Sequence, residues 1–93
     1  MTYEIVRTRR FKTAFKRVRR LQGFRNDLFE EVVDALARGK KLKKERRDHQ
    51  LTGTLKDFRE CHIAPDILLI YQIDNGLLIL TLVAIENHAQ LFK

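Results

Sequence analysis

The sequence predicts an α+β fold: one strand, a hairpin of two helices, then a three-stranded antiparallel meander carrying both helices on one face. Three observations predict it. Apolar residues switch from a period of two to a helical period at Thr8, and they return to strict alternation at Phe58. A turn signal, Asp74-Asn75-Gly76, then separates two apolar runs of strand length. The chain of 93 residues has room for one domain, residues 1–93, and shows no repeat, low-complexity tract or linker.

The elements follow in order. Tyr3 and Ile5 alternate with Glu4 and Val6, giving a short first strand over Thr2 to Arg7. Phe11, Ala14, Phe15, Val18 and Leu21 form the apolar stripe of a first helix, with basic residues on its other side. Gln22-Gly23 breaks the pattern. A second helix starts with Asn26 as its N-cap, and Asp27, Glu30 and Glu31 complement its positive end. Leu28, Phe29, Val32, Val33 and Leu36 supply its apolar side, and Arg38-Gly39 stops it. Residues 40–53 read as a basic loop. From Phe58 to Ile63, Phe58, Glu60 and His62 share one strand face, while Arg59, Cys61 and Ile63 share the other. Ala64-Pro65-Asp66 is a turn, and Ile67 to Ile73 is the next strand. Asn75-Gly76 suits a type I′ hairpin with positive φ at both residues, leading into a last strand over Leu77 to Ile85.

Charge narrows the function classes. The formal net charge is +7 with a pI near 10.0, and the excess is clustered. One cluster is Arg7, Arg9, Arg10, Lys12, Lys16, Arg17, Arg19 and Arg20; a second is Lys40, Lys41, Lys43, Lys44, Arg46 and Arg47. Such a field attracts a polyanion, and nucleic acid or the ribosome is the favoured one. No apolar run reaches the roughly 18 residues of a membrane span, and the first residues lack the layout of a secretory signal. A single cysteine, Cys61, excludes an internal disulfide and a CxxC metal site. The expectation is a reduced, soluble, cytoplasmic protein.

The side chains suited to chemistry are His49, His62 and His88, with Asp66 at the turn after the His62 strand. All fall in loops or on the non-core face of one small sheet. Their wide spacing, with no second ligand beside any of them, makes a metal site a minor reading, and no cofactor is expected. Metal-free RNA cleavage fits better. Attack by a ribose 2′-hydroxyl on the adjacent phosphate needs a base, an acid for the departing 5′-oxygen, and positive charge on the phosphorane. Histidine, with an unperturbed pKa of about 6.5, serves in either proton-transfer role. Asp66 is suited to orienting an imidazole, and Lys56 or Arg59 to stabilising charge, although Arg59 alternates onto the Cys61 face. Phe92 is suited either to covering the sheet edge or to stacking on a base.

Four segments carry a family resemblance: Asp48-His49-Gln50-Leu51-Thr52-Gly53; Phe58-Arg59-Glu60-Cys61-His62-Ile63-Ala64-Pro65-Asp66; Leu69-Ile70-Tyr71; and Asn87-His88-Ala89-Gln90-Leu91-Phe92. Together they resemble the YafQ branch of the RelE/ParE toxin superfamily. The resemblance covers residues 48–92 in register, and the helical half matches in layout. It implies a RelE-like fold and a toxin of a type II toxin–antitoxin system. It further implies mRNA cleavage in the ribosomal A site by metal-free acid–base chemistry, leaving a 2′,3′-cyclic phosphate and a 5′-hydroxyl. The family's active-site positions fall on His49, His62, Asp66 and His88, with Phe92 as the C-terminal aromatic. Ile67 stands where this branch often has an aromatic residue, which bears on stacking and codon preference. The implied partners are mRNA, the ribosome and a small antitoxin of the RelB/DinJ kind, with no membrane. Lys40 to Arg47 and the first helix would then face ribosomal RNA.

Three alternatives stand beside this reading, one of them an inactive toxin relic whose site persists without function. A ParE-like gyrase inhibitor shares the fold but is not expected to carry this His/Asp set. A non-catalytic RNA- or ribosome-binding module would leave the histidines incidental.

Overall fold

The computed structural model describes residues 2–88. Its elements run β1 (Glu4–Arg7), α1 (Arg9–Val18), α2 (Asn26–Ala37), β2 (His49–Gln50), β3 (Arg59–Ala64), β4 (Ile67–Asp74) and β5 (Ile79–Asn87), with short 3-10 turns at Lys44–Arg46 and Gly53–Leu55. The sheet order is β1-β5-β4-β3-β2. β3, β4 and β5 form the expected antiparallel meander, and β1 adds to β5 in parallel, Glu4 opposite Ile79 through Arg7 opposite Leu82.

The helical stripe and the strand alternation meet in one core. Phe11, Val18, Phe29, Val32, Val33 and Leu36 from the helices are buried against Cys61, Ile63, Ile67, Leu69, Tyr71, Leu80, Leu82 and Ile85 from the sheet. Four phenylalanines join the two helices. Phe15 stacks near Phe11 at 5.4 Å, tilts against Phe29 at 4.9 Å, and meets Phe24 edge-on at 5.7 Å. Offset and edge-on ring pairs add about 0.5–1.5 kcal/mol each beyond the area they bury. They close the helical hairpin across the Gln22-Gly23 break.

Two irregularities set which face each polar residue takes. In β5, Leu82 lies opposite Tyr71 while Ala84 lies opposite Ile70, so Val83 is an extra residue in a β-bulge. The bulge reverses the parity of the strand: Leu80, Leu82 and Ile85 all face the helices, and Ala84 and Glu86 face away. Thr8 holds it. The Thr8 hydroxyl donates to the Val83 carbonyl at 2.7 Å and its N–H donates to the Leu82 carbonyl at 3.1 Å. The same hydroxyl caps α1, accepting the Phe11 N–H at 3.0 Å. In β3, Ile63 is the extra residue between the pairs His62–Leu68 and Ala64–Ile67. Its carbonyl accepts Nη1 of Arg46 at 2.9 Å.

Three local expectations are corrected. The basic loop contains a fifth strand: β2 pairs antiparallel with β3, His49 opposite Glu60 and Gln50 opposite Arg59. Two residues are too few for alternation to signal a strand. Asn26 is the first residue of α2, and Arg25 occupies the cap position without a side-chain cap bond. Arg25 instead grips Asp27, with Nη2 to Oδ2 at 2.6 Å, and the guanidinium holds the Asp27 carboxyl below its ordinary range. The Asp74-Asn75-Gly76 hairpin is longer than type I′. Neither Asn75 nor Gly76 has positive φ; Leu78 does, at 55°. The Asp74 carboxylate accepts the Leu77 N–H at 2.9 Å, so a side chain closes the turn and β5 starts at Ile79.

Removing the Thr8 hydroxyl by Thr8→Ala is expected to cost about 1–2 kcal/mol in urea denaturation, while Thr8→Ser retains most of that stability. Burial pushes the Cys61 thiol up from 9.0 to about 12. Its folded form holds the proton to higher pH than its unfolded form, so this contribution to stability is complete below pH 9.0 and is lost as pH rises towards about 12. At pH 8, a thiol-reactive disulfide reagent is therefore expected to label Cys61 promptly only after denaturant is added.

Candidate active site

The sheet face turned away from the helices carries the histidines. Residues directly opposite one another in an antiparallel ladder share a face. One row across the sheet is therefore His49, Glu60, Ile70 and Ala84, and the next is His62, Leu68 and Glu86. Leu68 and Ala84 are buried on this side, apart from the main core, and form an apolar floor between the polar groups. His88 follows β5 directly, and its N–H donates to the Asp66 carbonyl at 2.7 Å. That bond joins the β3–β4 turn to the end of β5 and brings His62, Asp66 and His88 to one end of the sheet.

Two carboxylates lie among the histidines. His49 Nε2 is 3.7 Å from Glu60 Oε1, and His88 Nε2 is 4.0 Å from Glu86 Oε2. Glu60 is the more enclosed, its side chain 17% exposed. The His49 ring is held at its other nitrogen: Nδ1 lies 2.7 Å from the Arg47 carbonyl, which can only accept. Nδ1 therefore carries the proton, and Nε2, turned towards Glu60, is the nitrogen available for proton exchange. His62 Nδ1 lies 3.3 Å from the Pro65 carbonyl, which fixes its tautomer in the same sense. Asp66 is exposed and ties the site together through its backbone.

The charged candidates take separate places. Lys56 and Arg59 line an open cleft of about 410 Å³ at the other end of the sheet, on the helix side, together with Tyr3, Lys40 and Asp48. Arg59 is bound to Asp48, Nη2 to Oδ2 at 3.1 Å and Nε to Oδ1 at 3.4 Å. That pairing is the chief reason its guanidinium is held more firmly protonated than usual. Arg10 reaches Glu86 at 3.2 Å where β1 has ended and β5 is the open edge of the sheet. Beside that edge runs a groove of about 670 Å³, with Arg9, Arg10 and Arg17 on its rim and Ala14, Val18, Leu21 and Ile85 on its floor. Phe92 lies outside the described residues.

Sequence reasoning missed Glu60 and Glu86 as members of the site. The signal for Glu60 was available, since it shares strand parity with His62. Glu86 was hidden by the bulge, because uninterrupted alternation sends it to the core. Among the described residues, no group of three or more His, Cys, Asp and Glu side chains is close enough to hold a metal ion. The His–Glu pairs offer two donors each, against the three or four protein ligands of a zinc site.

The α+β fold has counterparts among known proteins. Residues 3–93 match the family described as the bacterial toxin of type II toxin–antitoxin system, YafQ. The chain belongs to the YafQ toxin family. A metal-bound toxin from Helicobacter pylori is 40% identical with a TM-score of 0.84, covering 99% of this chain and 100% of its own. A copper-bound mutant toxin from the same organism is 33% identical with a TM-score of 0.85 over the same shares. The toxin in the Escherichia coli DinJ-YafQ complex is 22% identical with a TM-score of 0.81, covering 100% of both chains, and shares the fold. No curated protein matches the chain.

Asp66→Ala separates the two ways in which this residue can serve the site. The bond to His88 is made by the backbone, so the variant is expected to retain slow exchange of the His88 amide and to lose less than about 0.5 kcal/mol of stability. Both are read by hydrogen exchange and urea titration. A loss of activity on that background then belongs to the carboxylate.

Proposed function

We propose that this toxin is a ribosome-dependent endoribonuclease that cuts mRNA in the A site and so stops translation. The observation that carries the reading is the gathering of three histidines on one sheet face, two of them set against glutamates (His49–Glu60 and His88–Glu86), beside a groove rimmed with arginines. In the proposed reaction a base takes the proton of a ribose 2′-hydroxyl, and O2′ attacks the adjacent phosphorus. The P–O5′ bond breaks, and an acid donates a proton to the departing O5′. The products are a 2′,3′-cyclic phosphate and a 5′-hydroxyl, with no metal or cofactor assigned.

His88 is assigned the proton transfer to O5′. It follows the last strand, and its backbone bond to the Asp66 carbonyl sets it at the end of the sheet beside His62, with Glu86 4.0 Å from its Nε2. His49 and His62, with Asp66, set the 2′-hydroxyl and the phosphate. The fixed Nδ1 proton of His49 leaves Nε2 as its working atom. An imidazolium among them supplies positive charge to the phosphorane, which in a water-poor site is worth about 2.7–4 kcal/mol per well-placed donor. Lys56 and Phe92 are proposed RNA contacts. Arg59 reaches RNA only by giving up part of its pairing with Asp48.

The two basic clusters extend the reading to the ribosome. The α1 face and Lys40 to Arg47 carry more positive charge than one mRNA strand requires, which suits additional contact with ribosomal RNA. The family is defined by a toxin–antitoxin pairing, so a small antitoxin covering part of this basic surface is the proposed protein partner. No described helix is long and apolar enough to cross a membrane, and the proposed site of action is the cytoplasm.

Mapping the 5′ ends of a defined mRNA in a reconstituted translation system tests this reading. Cuts within A-site codons are expected only when ribosomes are present. His88→Ala is expected to lower the rate by about 10²–10⁴. Cutting of naked RNA at equal rate would remove the ribosome from the account. No cutting by the folded protein would favour a gyrase-directed or binding-only role.

A further inference from the structure

β2 is the weakest element of the sheet and yet carries a site histidine. It has two residues, lies at the edge, and pairs with β3 at two positions only. Arg47, which enters it, sits in the left-handed region at φ 50°, unusual for a residue with a side chain. A slip of one residue would carry His49 to the opposite face of the sheet and away from Glu60. Two ladder positions do not by themselves fix that register.

Asp48 supplies what the ladder lacks. It precedes His49 and faces the helix side, where Arg59 and Tyr71 are directly opposite each other on β3 and β4. Its carboxylate accepts two bonds from the Arg59 guanidinium, at 3.1 and 3.4 Å, and one from the Tyr71 hydroxyl. Tyr71 is 1% exposed, so this end of the clamp is anchored in the core. Burial, and then the bond to Asp48, hold the phenol protonated far above its ordinary range, which keeps it a donor. One carboxylate thus ties the edge strand to the two strands beside it from one face, while on the other face His49 meets Glu60.

We infer that Asp48 is a positioning residue: held by Arg59 and Tyr71, it fixes the register of β2 and so sets the His49 ring between the Arg47 carbonyl and Glu60. The inference rests on the proposed ribonuclease reading only for its catalytic consequence, because the ring geometry is measurable without RNA.

The test uses the full chain labelled with ¹⁵N at histidine, with wild type, Asp48→Ala, Asp48→Asn and Tyr71→Phe compared. In wild type, His49 is expected to show the Nδ1–H tautomer. In Asp48→Ala, the ring nitrogens of His49 are expected to move towards those of a freely exchanging imidazole, while those of His62 and His88 stay in place. Asp48→Asn, which keeps an oxygen to accept from Arg59 and Tyr71, is expected to restore most of the wild-type signature. Ribosome-dependent cleavage is expected to fall roughly 10- to 100-fold in Asp48→Ala, mostly in kcat, and to recover in part in Asp48→Asn. If Asp48→Ala does not fold, Tyr71→Phe removes one bond at nearly constant volume and is expected to perturb His49 alone. An unchanged His49 signature in a folded Asp48→Ala or Tyr71→Phe protein overturns the inference. Perturbed ring signals in a protein that never cleaves RNA would sustain the clamp and defeat the nuclease reading.

Discussion

The placement of the site depends on two β-bulges, each held by a side chain from outside the meander. A strand with unbroken alternation cannot send Leu80, Leu82 and Ile85 to the core while turning Ala84 and Glu86 outward. The extra residue Val83 makes that possible, and the Thr8 hydroxyl takes up the Val83 carbonyl. The same hydroxyl starts α1, so the helix that covers the core and the parity change that shapes the site are set by one residue. In β3, Ile63 plays the corresponding part, and Arg46 from the basic segment accepts the task of satisfying its carbonyl. Bulges of this kind re-aim side chains beside functional sites, and an unsatisfied buried carbonyl would otherwise cost about 1–3 kcal/mol.

From that constraint the division between the two faces follows. One face is sealed beneath two helices bound together by phenylalanines. The other carries no helix among the described residues and presents histidines set against glutamates over a small apolar floor. Positive charge flanks the sheet: arginines of α1 lie beside the open edge of β5, and the basic segment before β2 is pinned to β3 through Arg46 and to α2 through the Lys43–Glu31 pair at 3.6 Å. A polyanion drawn by long-range attraction would thus meet fixed imidazoles.

Much of this was legible in the sequence, and the exceptions have physical causes. The stripe from Phe11 to Val18 and the alternation from Phe58 to Ile63 reported burial, because a wide helical face and a half-buried strand each impose a period; Leu21, read as the end of that stripe, packs on the core from the turn after α1. β2 was not legible, since its pairing is fixed by distant partners of Asp48. The Asn75-Gly76 turn misled because the Asp74 carboxylate closes a longer loop. Asn26 misled by one residue, where an Arg25–Asp27 pair replaced a side-chain cap. For the candidate site, the strand parity that puts His49 and His62 on the face away from the helices could be read from the sequence in part, and the Asp66–His88 backbone bond could not; Glu86 was hidden by the bulge, and Asp48 acts through two strands remote in sequence.

The central claim is that the bare sheet face drives attack by a ribose 2′-hydroxyl. The most direct measurement replaces that hydroxyl with hydrogen at the single nucleotide 5′ to the mapped cut, and compares single-turnover cleavage of the two mRNAs on the ribosome. The account predicts no cleavage of the 2′-deoxy substrate at that position, with the all-ribose mRNA yielding a 2′,3′-cyclic phosphate end. Cleavage of both substrates at comparable rates would contradict it.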